Sequence, residues 1–207
     1  MYNKTLGGLA VLVATLFFLG ACSNTRVTSS WKASNATPLV RGNKILVLGI
    51  IQEKDIRLRM QMEGFLVDEL KANGYNAVSA YTLYGPKMFS NKSEEAALAQ
   101  LHNGNIDEVL TITLLDKARQ RNWQPGPYYY PFWGYYSYMY GQVYNPGYIS
   151  VDTRFLWESN LYDVNTRSLL SSIQSESFNP SSAGDMGRDY SRVVVKKMVK
   201  EGVLARN

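Results

Sequence analysis

The chain has one Cys and one His among 207 residues, so few of its side chains suit metal, redox or acid–base chemistry. A single thiol closes no intrachain disulfide and builds no cysteine-rich metal knuckle. A single imidazole leaves out multi-His metal sites and most acid–base constellations. His102 falls beside Asn103-Gly104 at the expected end of a helix, where a solvated or capping role accounts for it. The acidic pairs Asp68/Glu69, Glu94/Glu95 and Asp107/Glu108 are adjacent in sequence. Helix and strand geometry points such neighbours apart, so they read as solvated groups rather than acid–base couples. Glu63, four residues after Arg59, reads as a helical ion pair worth roughly a few tenths of a kcal/mol. There is no G-x-S-x-G, phosphate loop, dinucleotide fingerprint or metal-spaced His/Asp cluster. The expectation is a non-enzymatic protein without cofactor or metal. A hydrolase would need a pocket in which distant carboxylates converge.

The lone thiol stands at an informative place. Lys4 gives a positive start, and residues 6–19 (LGGLAVLVATLFFL) form an uncharged apolar core. That core suits a secretory signal and is shorter than the roughly 20 residues that span a bilayer. It runs into Leu19-Gly20-Ala21-Cys22 and then polar Ser23-Asn24-Thr25. The four residues resemble the lipobox of bacterial lipoproteins, in which the Cys thiol takes a diacylglyceryl group, cleavage occurs before it, and its new amino group is acylated. Two or three acyl chains, at about 0.8 kcal/mol per buried CH₂, hold a protein firmly on a membrane. The resemblance implies a signal peptide over 1–21 and a membrane partner through a lipid anchor at Cys22. Ser rather than Asp after Cys22 implies the outer membrane, with the domain facing the periplasm.

Aromatic residues make up 13% of the chain, and they concentrate. Residues 123–148 (WQPGPYYYPFWGYYSYMYGQVYNPGY) hold 12 aromatics, nine of them Tyr, and no charge. Contiguous runs such as Tyr128-Tyr129-Tyr130 and Tyr135-Tyr136 break any period of 2 or 3.6, and four prolines remove strand donors. A pore-forming transmembrane hairpin, which needs alternation, is therefore not expected. Tyr and Trp present rigid apolar faces with polar tips, suited to sugar rings, partner proteins and lipid headgroups. Trp123, Tyr128, Tyr129, Tyr130, Trp133, Tyr135, Tyr136, Tyr138 and Tyr140 are the candidate binding surface, with an envelope protein or a peptidoglycan-like glycan as partner. Two other readings stay open: an insertion that covers its own domain, and a self-assembling contact between copies.

Charge points away from nucleic acid. Lys and Arg total 22 against 17 Asp and Glu, a formal +5, or nearer +4 once Lys4 is removed. The basic residues are scattered singly or in pairs, not clustered as a phosphate-tracking groove requires.

The elements that position these groups follow from periodicity. Residues 22–43 are polar and rich in Ser, Thr and Asn, and read as a tether on which Trp31 offers docking for a short edge strand. Residues 44–51 (KILVLGII) read as a strand buried on both faces. Asp55 stands where it would cap a helix over 56–73, with Leu58, Met62, Phe65, Leu66 and Leu70 on one face and Gly74 as its stop. A strand over 75–80, a helix over 94–102 and a strand over 106–115 follow. Residues 149–162 alternate as an antiparallel strand with one wet face. A turn over 163–167, with Asn165 the candidate left-handed residue, leads to the partner strand 169–178 and a closing helix over 184–201. The expected fold is an α/β sandwich of order β-α-β-α-β-β-β-α, a mixed sheet with parallel strands plus an antiparallel hairpin. One domain over 44–205 carries the Tyr-rich insertion 123–148.

This layout resembles a broad group of bacterial lipoproteins carrying a domain of unknown function. Their fold is similar to the amino-terminal domain of TolB and to the periplasmic part of CsgG-type lipoproteins. The resemblance is carried by the lipobox at 19–22, Ser30-Trp31, the KILVLGI strand, and the phrase Met62-Glu63, Leu66-Val67, Leu70-Lys71, Gly74. The hairpin phrase Asn160-Leu161-Tyr162-Asp163-Val164 with Thr166 completes it. It implies an envelope location and brings no catalytic residue.

Overall fold

The computed structural model describes residues 24–89, 92–123 and 149–205, and within them it is a mixed α/β sandwich. Six strands form one sheet in the order β1-β6-β5-β4-β2-β3. They are β1 (Thr25–Lys32), β2 (Lys44–Ile50), β3 (Asn76–Ser79), β4 (Glu108–Trp123), β5 (Ile149–Asp163) and β6 (Leu169–Phe178). Four helices pack on it: α1 (Ile56–Ala72), α2 (Ala80–Tyr84), α3 (Glu94–Asn103) and α4 (Ala183–Lys200). β2 runs parallel to both β3 and β4, while β4, β5, β6 and β1 are successively antiparallel.

Alternation divides the side chains of β2 between two cores. Ile45 and Val47 face the larger one, with Met62, Leu66 and Leu70 of α1 and Tyr190, Val194 and Met198 of α4. Leu46 faces the smaller one, under α2 and α3, with Ala80, Met88, Leu101, Ile106 and Val109. Trp157 on β5 is fully buried in the larger core, its ring 6.1 Å from Phe155 and 5.6 Å from Tyr190. The Tyr190 hydroxyl hydrogen-bonds Ser159, and burial raises its pKa further above the usual tyrosine range.

Serines begin three of the helices. Ser79, Ser93 and Ser182 each accept a backbone N–H from the third residue on, filling one orphan donor of α2, α3 and α4. Asp55 occupies the corresponding position of α1, but its side chain makes no capping bond, contrary to expectation. Gly74 ends the turn after α1 at φ 81°, a conformation that favours glycine.

Further differences from the sequence reading concern the stretch before β2, the length of β4, the β5–β6 turn and α2. The edge strand expected at Trp31 is present as β1 and takes up the first half of the expected tether, held by the β6 ladder with Trp31 half-exposed on it. The stretch after it also reaches the domain, since Leu39 is buried and its N–H donates to Val203 O. β4 continues past residue 115 to Trp123, because its ladder with β5 absorbs a bulge between Leu114 and Asp116 and goes on. In the β5–β6 turn the left-handed residue is Arg167 (φ 57°), not Asn165. Asp163 Oδ1 accepts the Thr166 N–H, which places the reversal one residue after that turn. The one-turn α2 was absent from the sequence reading.

Candidate functional site

Strand directions collect the informative features at one end of the sheet. β1 begins there at Thr25, opposite Ser177 near the end of β6, and Asn24 is held by its N–H to Asp189 Oδ2 (3.1 Å). β2 ends there at Ile50, β6 at Phe178, and β4 at Trp123 opposite Ile149, where β5 begins. β6 pairs with β5 only as far as Arg154, so the pairs Arg119–Thr153 through Trp123–Ile149 form a free two-stranded ribbon. At about 3.3 Å per residue, this ribbon extends the sheet by roughly 17 Å. Three of the large exposed apolar residues, Ile50, Leu115 and Phe178, lie at this same end.

The Tyr-rich segment is the connection borne on that ribbon. Trp123 closes β4. Tyr128, Tyr129, Tyr130, Trp133, Tyr135, Tyr136, Tyr138 and Tyr140 lie outside the described residues, as do the lipobox residues Leu19, Gly20, Ala21 and Cys22.

Beside the ribbon is a cleft of about 930 Å³, between the first turns of α1 and α4 and the strands β4 and β5. Leu58, Phe155 and Met186 give it an apolar floor; Lys54, Arg57 and Lys117 set three cations in its lining against one carboxylate, Asp55. Asn179 is committed internally, accepting the Thr153 N–H and donating to Asp152, and Ser182 donates to Asp185. Lys117 places its ammonium 5.1 Å from the Phe155 ring centre. Arg26 and Arg154, by contrast, both pair with Glu176 (3.4 and 2.9 Å). The cleft lies beyond the carboxyl end of β2, where open α/β sheets commonly receive ligands. The sequence reading missed it, because nothing in the spacing of residues 54, 57 and 117 brings them together.

Two acidic readings change. Glu63 and Arg59 form the expected helical ion pair, 2.9 Å apart, but it is no weak solvated one: Glu63 is fully buried and Arg59 nearly so. Glu63 Oε1 accepts from Gly49 N and Arg59 Nε, and Oε2 accepts from Ser79 Oγ and Tyr81 N. With both oxygens doubly satisfied, the group is a structural clasp between α1, β2 and α2. Glu108, expected in solvent, is 2% exposed on β4. Burial pushes its pKa up to about 7, opposed by the Asn43 hydrogen bond (2.7 Å) and assisted by the nearby charges of Asp107 and Asp163. Asp68, Glu94 and Glu95 are exposed as expected, and so is His102. No group of three His, Cys, Asp or Glu suited to a metal ion occurs among the described residues. No described helix is long and apolar enough to cross a membrane.

No family model and no curated protein matches the chain. Solved structures similar to it include the following three. The PelC dodecamer from Paraburkholderia phytofirmans is 14% identical over 88% of this chain and 99% of that one, with a TM-score of 0.48. Lipoprotein GNA1162 from Neisseria meningitidis is 18% identical over 76% of this chain and 99% of that one, at 0.43. TolB from Acinetobacter baumannii is 12% identical over 85% of this chain and 31% of that one, at 0.38.

Proposed function

We propose that this chain is a non-catalytic lipoprotein of the bacterial outer membrane, facing the periplasm, with the Tyr-rich segment 123–148 as its contact surface. The observation that carries the reading is the lipobox Leu19-Gly20-Ala21-Cys22, which leads almost directly into β1. Asn24 stands two places after Cys22, so covalent geometry keeps their Cα atoms within about 7 Å. The anchor therefore belongs to the end of the sheet from which the β4–β5 ribbon springs. A contact surface carried on that ribbon meets the bilayer interface and proteins of the same membrane before it meets a distant polymer. Tyr and Trp suit such a surface, since their rings sit among apolar groups while their polar tips remain wet.

Mass spectrometry of the mature polypeptide tests the anchor: an acylated Cys22 at the amino terminus is expected, and a bare thiol or a retained residue 1–21 refutes it. A photoreactive residue at Tyr136 in living cells tests the surface. Crosslinks to lipid or membrane protein are expected, and a chain lacking 125–147 that remains folded should lose its partners. Unchanged capture by that variant refutes the surface.

A further inference from the structure

The cleft between α1 and α4 carries a ligand assignment of its own. Among the described residues Lys54, Arg57 and Lys117 make no ion pair, while Asn179 and Ser182 are engaged with neighbouring groups. Recognition therefore falls to three exposed cations above an apolar floor of Leu58, Phe155 and Met186. The lining residues sum to +2, three basic against Asp55. α1 has no acidic residue in its first turn, so its positive dipole end adds to that potential; Asp185 in the first turn of α4 offsets the other. A volume of about 930 Å³ lies within the ~300–1,000 Å³ span of small-molecule sites and exceeds what an inorganic anion needs.

An anionic group for the cations, joined to an apolar stem for the floor, describes an acidic amphiphile. The cleft lies at the end of the sheet that holds Asn24, the residue two places after Cys22. We propose that it binds the phosphate headgroup and first methylenes of an anionic phospholipid from the bilayer on which the chain is anchored. The source of the lipid rests on the lipid-anchor reading; the chemistry of the cleft does not.

Isothermal titration of the purified full chain in neutral detergent tests this, with dihexanoyl phosphatidylglycerol, dihexanoyl phosphatidylcholine and inorganic phosphate as probes. Phosphatidylglycerol should bind at least tenfold more tightly than the other two and weaken as salt rises. The triple variant Lys54→Gln, Arg57→Gln, Lys117→Gln should lose that affinity at least tenfold while melting like the parent. Should the triple variant melt early, Arg57→Glu alone supplies the same readout from one exposed side chain. Equal binding by parent and variant overturns the site, and phosphate binding as tightly as phosphatidylglycerol overturns the lipid as its source. The mass of the same preparation reports acylation of Cys22 separately, so a failed anchor and a failed cleft give different results.

Discussion

The Gly49 backbone N–H donates to the fully buried carboxylate of Glu63 at 2.8 Å, joining the end of β2 to the second turn of α1. A Cβ at residue 49 would lie 2.8 Å from Arg59 Cγ and 3.1 Å from Glu63 Oε1, so the close approach needs glycine. Arg59 completes the clasp by donating to Pro86 O at 2.8 Å.

Glu63→Ala should therefore lower unfolding free energy by about 3–5 kcal/mol, the usual cost of leaving one member of a buried ion pair alone. Urea denaturation measures it. The double variant Arg59→Met, Glu63→Leu should recover little, because the donors Gly49 N, Ser79 Oγ and Tyr81 N would still lose their acceptor. Full recovery would show that the carboxylate serves Arg59 alone.

Glu108 makes stability depend on pH in a fixed direction. Its pKa is raised from 4.5 to about 7 in the folded chain, so folding favours the protonated form. The contribution is fully present below the unfolded value, near pH 4.5, and is lost as pH rises through 7. The loss should be on the order of 2 kcal/mol between pH 5 and pH 8. Glu108→Gln keeps an acceptor for Asn43 and cannot ionise, so the parent-minus-variant difference in urea midpoints should follow this course. A difference that does not vary with pH contradicts it.

Gly187 lets α4 approach α1. An added Cβ would fall 2.6 Å from Phe65 Cδ2, on a ring that also lies under the Arg188 guanidinium at 5.3 Å. Gly187→Ala should destabilise by about 1–3 kcal/mol through overpacking, more than the ~0.8–1 kcal/mol gained in helix propensity. Phe65→Leu should relieve the clash, making the double variant less destabilised than the sum of the singles. Thermal melts of the four chains decide it.

β1 belongs to the domain rather than to a tether. Its Thr25 and Ser177 hydroxyls bond at 2.7 Å, and Ser30 donates to Glu201 at 2.6 Å, joining the strand to the end of α4. A chain beginning at Ala33 would uncover the edge of β6. It should melt lower and aggregate in sedimentation, whereas one beginning at Asn24 should not. Equal melting of the two would return residues 25–32 to the role of tether.

Much of the architecture was legible because burial writes period into sequence. Residues 44–50, with both faces covered, read as an apolar run, and 154–161 alternate because their side chains alternate between buried and more exposed positions. β1 was harder to see. An edge strand with Ser and Thr on its exposed positions has a weak apolar pattern, and its pairing with β6 spans about 150 residues. The end of β4 was hidden for a related reason: only its register with β5, past the bulge between Leu114 and Asp116, extends it to Trp123. The fates of Glu63 and Glu108 were invisible, since local spacing says which residues neighbour a carboxylate along the chain but not which backbone closes over it.

By itself the sequence determined the run Leu19-Gly20-Ala21-Cys22, the single Cys and single His, the mixed α/β class and an uncharged cluster of aromatics, all of them properties of composition and short-range spacing. Only the tertiary structure decided that β1 completes the sheet, that Lys54, Arg57 and Lys117 line one cleft, and that Asn24 and the β4–β5 ribbon share an end. The reason is strand direction. Which groups meet at the end of a sheet depends on whether each strand runs up or down, and that is set by long-range pairing rather than by any residue's neighbours in the chain.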